Sequence, residues 1–195
     1  MEIKGKLYLT NRKDWRLWLS KHHKTESEIW LIYYRKETKK LRIPYDDAVL
    51  EALAYGWIDS TVKKIDTESF AQRFSPRRSK SVLSQMNKER IRELIKEKKM
   101  TKAGLEAISH AFNPKTDKDE KLKISSDTLK TLQANKEAWK YFQKMPPSYQ
   151  RIRIAYIDSY KQHSVNMYKK TLAHFIKRTA QNKRIGFVRE RRDVV

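Results

Sequence analysis

The chain has 195 residues, 38% of them hydrophobic, with 45 Lys and Arg against 23 Asp and Glu, a formal net charge of +22 and no cysteine. That length and apolar content suit one domain, or one domain with a helical extension, and exclude a disordered chain. Without cysteine there is no disulfide framework, thiolate nucleophile or Cys-based metal site. No apolar run approaches the roughly 18 residues that span a bilayer, and the N-terminal MEIKGKLYLTNRKDWRLWL has no apolar signal core, so the expectation is a soluble, cytoplasmic protein.

Along the chain, Asn11 is placed to cap a short helix whose apolar residues are Trp15, Leu17, Trp18 and Leu19, with His22 and His23 at its end. Glu28 to Arg35 (EIWLIYYR) is apolar on both faces and reads as the central strand, with Leu41 to Ile43 as a short return strand. From Tyr45 the apolar positions Ala48, Val49, Ala52 and Leu53 repeat with helical period. Asp46 and Asp47 occupy the first turn and Gly56 follows the end. Trp57 to Ile65 and Ser69 to Ser75 form a hairpin about Asp66-Thr67-Glu68, stopped by Pro76.

Ser84 then caps a helix with Ile91, Leu94 and Ile95 on its inner stripe, and Thr101 caps another that runs to Asn113-Pro114. Lys115 to Lys123 carries both signs of charge and one apolar residue, which marks an exposed linker. Helices follow from Ser126, from Asn135, from Pro146-Pro147 and from Ser164, the last carrying Val165, Tyr168, Leu172, Phe175 and Ile176. The fold class is therefore α+β: a small, mostly antiparallel sheet with flanking helices, then a C-terminal helical segment packed on it through Trp139, Phe142, Tyr156 and Phe175. The corresponding division is 1–114 for the α/β part, 115–124 for the linker, 125–183 for the helices and 184–195 for a basic tail.

Two groups of residues carry candidate chemistry. Asp59, Arg73, Arg77, Arg78, Ser84 and Asn87 combine a carboxylate, guanidinium forks and a helix start, a set that could hold an anion where the hairpin meets the next helix. The structural alternative is that Asp59 and Arg73 pair across the hairpin while Arg77 and Arg78 lie on the surface. Lys169, Lys170, Lys177 and Arg178 form a basic face on the last helix, continued by Arg189, Arg191 and Arg192, and such a face could track a polyanion, whether nucleic acid or an acidic surface.

No catalytic constellation is legible. The five histidines show no metalloprotease spacing, the four glycines form no phosphate loop or dinucleotide fingerprint, and Asp46-Asp47 is explained by the helix dipole. No cofactor or metal is expected.

The runs GWIDS (from Gly56), FSPRRSKSVLSQMNK and ANKEAWKYFQKMPPSYQRIRIAYIDSYK, in that order, make the chain resemble the YdeI/OmpD-associated, or bacteriocin-protection, family from about Trp15 to Lys183. The resemblance implies a GWIDS- and PRR-containing α/β part joined to a helical segment, and a role in survival of bacteriocins or cationic peptides. It brings no catalytic residue. The family usually has Trp where this chain has Leu83, and more arginine where this chain has Asn166, Tyr168, Lys169 and Lys170. The leading expectation is a non-enzymatic protection protein with an anion-binding surface. The alternatives are a sequence-independent nucleic-acid-binding protein and an enzyme acting on a small anionic metabolite.

Overall fold

The structure, a computed structural model, describes Ile3 and residues 5–186. The chain forms two compact units: one from the N-terminal part to Leu83 with Arg90–Lys118, the other from Ser84–Glu89 with the chain from Asp119 onward.

In the first unit, strands β1 (Lys6–Leu7), β2 (Ile29–Tyr34), β3 (Trp57–Lys64) and β4 (Ser69–Pro76) make one sheet in the order β1-β2-β4-β3. The sheet is mixed: β1 runs parallel to β2, and the other pairs are antiparallel. β2 is interior, as its two-faced apolar sequence requires. Its Ile29, Leu31 and Tyr33 enter a core with Trp15, Leu19, Val49 and Phe74, while Trp30 is buried on the other face. Leu41 to Ile43, expected as a strand, is not one. Both edges of β2 are already taken by β1 and β4, so this segment is held by scattered bonds instead: Ile43 N–H to the Leu9 carbonyl at 3.2 Å, the Arg42 guanidinium to the Tyr34 carbonyl at 2.9 Å, and the Tyr8 hydroxyl to the Leu41 carbonyl.

Helix α1 (Arg12–His22) is capped by Asn11, whose Oδ1 accepts from Asp14 N–H at 3.0 Å. It docks on α2 (Tyr45–Ala54) by a hydrogen bond from the Trp15 indole to the Ala48 carbonyl at 3.0 Å. The deeply buried Glu51 carboxylate is met by both Arg12 and Arg16, the latter at 2.6 Å, which is what makes burying that charge tolerable. α2 is apolar nearly all round because it serves two cores. Ala48, Val49 and Ala52 face the sheet cluster, whereas Leu50, Leu53 and Ala54 join Ile91 and Leu94 of α3 (Gln85–Lys96) and Ile108 of α4 (Lys102–Ile108). α4 ends at Ile108, short of the expected Asn113-Pro114, and the chain leaves it in turns. Gly104 lets α4 meet the end of α2: a Cβ there would lie 2.2 Å from the Ala54 carbonyl oxygen.

The second unit contains α5 (Ser126–Gln133), α6 (Lys136–Gln143), α7 (Pro147–Ser159) and α8 (Val165–Ala180). Asn135 and Ser164 cap α6 and α8 as their sequence positions suggest. Phe142 and Phe175 meet edge to face at 5.9 Å, and Trp139 stacks on Phe142 at 5.8 Å, within a core that includes Leu132, Tyr149 and Ile157. These aromatics build the helical unit's own interior. Tyr156 does not share that burial; it is 46% exposed and hydrogen-bonds to Tyr160, since it projects from the wet side of α7.

Candidate functional site

The hairpin β3–β4 begins at a corner that only glycine fits. Gly56 has φ +77°, and a Cβ there would lie 2.5 Å from that of Ala107. Its carbonyl accepts the Arg77 N–H at 2.9 Å, so the corner before β3 is tied to the residue after β4. At the far end, one Asp66 oxygen takes the N–H groups of Glu68 and Ser69 and the Ser69 hydroxyl, which closes the turn. The register slips between Asp59 and Val62, and the Gln72 amide fills the gap by donating to the Ser60 carbonyl at 3.2 Å.

Asp59 lies opposite Phe74, so its side chain shares a face with Phe74 while that of Arg73 is on the other face. The two do not pair. Asp59 instead accepts from the phenol of Tyr45, the first residue of α2. Arg73 pairs with Glu28, its Nε at 2.7 Å and Nη2 at 2.6 Å from Oε2, and the Trp30 indole donates to the other Glu28 oxygen at 3.0 Å. These donors hold the Glu28 carboxyl below its ordinary range, the Trp30 hydrogen bond first and Arg73 next.

Arg77 is buried, 7% exposed, although it belongs to a Pro-Arg-Arg run that reads as surface. Its Nη1 donates to Ser81 Oγ at 2.9 Å and to the Val82 carbonyl at 3.1 Å, while Nε and Nη2 are buried with no hydrogen-bond partner. Burial weakens its hold on the proton, opposed by the negative charge of Asp59. A buried guanidinium with two idle nitrogens, next to no contacting carboxylate, is an arrangement that a small anion would complete. Arg78 is exposed.

Tyr33 adds to this neighbourhood. Its hydroxyl is buried without a partner, and it feels the charges of Arg42 and Asp59. Burial pushes the Tyr33 phenol far above its usual range; burial and then the Asp59 hydrogen bond do the same to Tyr45. Sequence reasoning misses both tyrosines, because each occupies an apolar position of its element and the phenol oxygen leaves no periodic signal. Leu83, where an aromatic is usual, is a core residue here, packed with Leu53, Ile91 and Phe112.

Ser84 and Asn87 belong to the other unit. The Ser84 hydroxyl accepts the Asn87 N–H at 3.3 Å, as an N-cap does.

The second group lies on α8. Lys169, Lys170 and Lys177 are exposed and Arg178 is half-buried. Among the described residues none of the four has a carboxylate partner, whereas Arg73, Arg90, Arg151 and Lys161 all do. Lys169 and Lys177 are two helical turns apart, about 12 Å at the standard rise. Arg189, Arg191 and Arg192 lie outside the described residues. Among the described residues no helix is long and apolar enough to cross a membrane, and no cluster of His, Asp and Glu is arranged to hold a metal ion.

Residues 7–107 match the model of a domain of unknown function (DUF8412), which takes in the GWIDS and PRR runs. Residues 121–182 match the model described as bacteriocin-protection, YdeI or OmpD-associated, which takes in all four helices of the second unit. No curated protein and no solved structure matches the chain.

Proposed function

The chain belongs to the DUF8412 family and, through its helical part, to the bacteriocin-protection, YdeI/OmpD-associated family, and from that premise we propose a non-enzymatic protection protein that works in the cytoplasm by holding an anionic polymer or surface. The family fits a role of the bacteriocin-protection type. The charge supports a direction for it: a protein of net charge +22 repels a cationic peptide and attracts whatever anionic target the peptide would seek. The observation that carries the proposal is the row of cations on α8 that no carboxylate of the described residues neutralises.

A smaller anion site is proposed at Arg77, supported by its burial and its two idle nitrogens. It would anchor a phosphate- or sulfate-sized group, with Tyr45 keeping Asp59 occupied nearby.

Binding of the full chain to duplex DNA and, separately, to vesicles rich in anionic lipid tests the α8 reading. On DNA, affinity should fall linearly with salt on logarithmic axes. The variant Lys169→Gln/Lys177→Gln/Arg178→Gln should flatten that slope by about 2.7, three times the roughly 0.9 per phosphate neutralised. Binding to vesicles but not to DNA identifies an acidic surface as the partner. Undiminished binding of the triple variant to both would overturn the assignment to α8.

A further inference from the structure

The cleft between α7 and α8 has no place in the polyanion reading, and its chemistry is specific. Its volume is about 260 Å³, and its floor is apolar: Ile157, Phe175 and Ile185. Arg153 lines it and is only 4% exposed. A guanidinium that deep needs compensation. What it has is partial: Nη2 donates to the carbonyls of Ile185, at 2.5 Å, and Gly186, and the guanidinium lies 5.5 Å from the Tyr149 ring centroid. No carboxylate of the described residues meets it, and its Nε is buried with no acceptor at all. Among the other residues lining the cleft, Lys170 adds positive charge and none is a carboxylate.

We propose that this cleft is a binding site for a small organic monocarboxylate with an apolar body. The head would meet the field of Arg153 and Lys170, and the body would lie on Ile157 and Phe175. The size selects the class. The volume falls just under the 300–1,000 Å³ usual for drug-sized ligands. A cleft of that volume takes a small ligand, such as a six-carbon fatty acid or a benzoate, in preference to a drug-sized one. A monoanion suits it better than a phosphate dianion, because most of the wall is apolar and cannot replace the water a second charge would lose. This site shares Lys170 with the polyanion face but is otherwise separate from it, since Lys169, Lys177 and Arg178 do not line it.

The test uses the full chain, titrated with hexanoate and with hexan-1-ol, its uncharged counterpart, by calorimetry and by NMR shifts of α7 and α8. Hexanoate should bind saturably and at least tenfold tighter than the alcohol. Thr171→Phe, which fills the cleft from its half-buried edge, should abolish binding with the melting temperature preserved. Lys170→Glu, on an exposed side chain, should weaken hexanoate at least fivefold and leave the alcohol unchanged. Equal affinity for acid and alcohol would show an apolar cleft only and overturn the proposal. So would hexanoate binding that survives Thr171→Phe, or no saturable binding.

Discussion

The phenol of Tyr45 at the start of α2 donates to the carboxylate of Asp59 on β3, and this one hydrogen bond ties the hairpin to the helix that leads into it. It also settles the fate of both residues: Asp59 is satisfied without an arginine in contact, and Tyr45 is held in its neutral form.

That second consequence is measurable at high pH. Burial holds the Tyr33 phenol protonated above the ordinary range, and partial burial together with the Asp59 hydrogen bond does the same at the half-exposed Tyr45. Above about pH 10 the unfolded chain ionises these groups while the folded chain does not, so the folded state binds more protons and its stability falls as pH rises. The stabilisation is complete below pH 10. A tyrosinate absorbance titration, run beside tryptophan fluorescence, should show the Tyr33 and Tyr45 phenols ionising late, with Tyr33 ionising only in the step that unfolds the sheet. Tyr45→Phe should remove one of the two and cost about 1 kcal/mol at neutral pH, the usual net worth of a partly exposed hydrogen bond. Ten tyrosines titrating in the native protein would contradict the geometry.

The Arg73–Glu28 pair makes a prediction at the opposite end of the pH scale. Glu28 has a depressed carboxyl pKa, so the contribution of the pair is present above the unfolded value, about 4.3, and is lost as pH falls through the lower folded value. Arg73→Gln should cost about 1 to 2 kcal/mol at pH 7, since both side chains are partly exposed, and the difference from wild type should shrink below pH 4. Side-chain NMR of Glu28 in this variant should show its pKa raised yet still below that of a free glutamate, because the Trp30 indole remains. A shift in Asp59 instead of Glu28 would restore the cross-hairpin pair that the strand register argues against.

What the sequence made legible, and what it hid, follows from the range of each interaction. Asn11, Ser84, Asn135 and Ser164 cap their helices because a cap is decided within three residues. The hairpin is equally local, with Asp66 closing its turn. Arg73, in contrast, finds a partner 45 residues away on a strand whose pairing depends on the whole sheet, and nearness along the chain favoured Asp59 wrongly. Arg77 is hidden for a related reason: a Pro-Arg-Arg run has the composition of a surface, and only the return of the chain through Ser81 and Val82 encloses it. Leu41 to Ile43 has strand composition, but both edges of β2, the strand it was expected to return to, are taken. The aromatic stripe of Trp139 and Phe142 was correctly apolar in the sequence, yet periodicity names a buried face without naming what covers it.

Arg77 offers the sharpest test of an anion site, because a ligand and a purely structural role make opposite demands on the same substitution. If Nε and Nη2 await an anion, sulfate should raise the melting temperature above that in chloride at equal ionic strength. A tenfold excess over the dissociation constant would contribute about 1.4 kcal/mol by mass action. Arg77→Met keeps the length and apolar stem of the side chain and removes the charge. In chloride it should cost little, since removing a buried guanidinium with no contacting counter-ion offsets the loss of two charge-assisted hydrogen bonds. In sulfate the variant should gain nothing. If instead Arg77 only clamps Ser81 and Val82 under the field of Asp59, sulfate will leave the wild type unchanged and Arg77→Met will cost several kcal/mol in either salt. That pair of results would reassign Arg77 from ligand binding to holding the segment after β4 against the corner at Gly56.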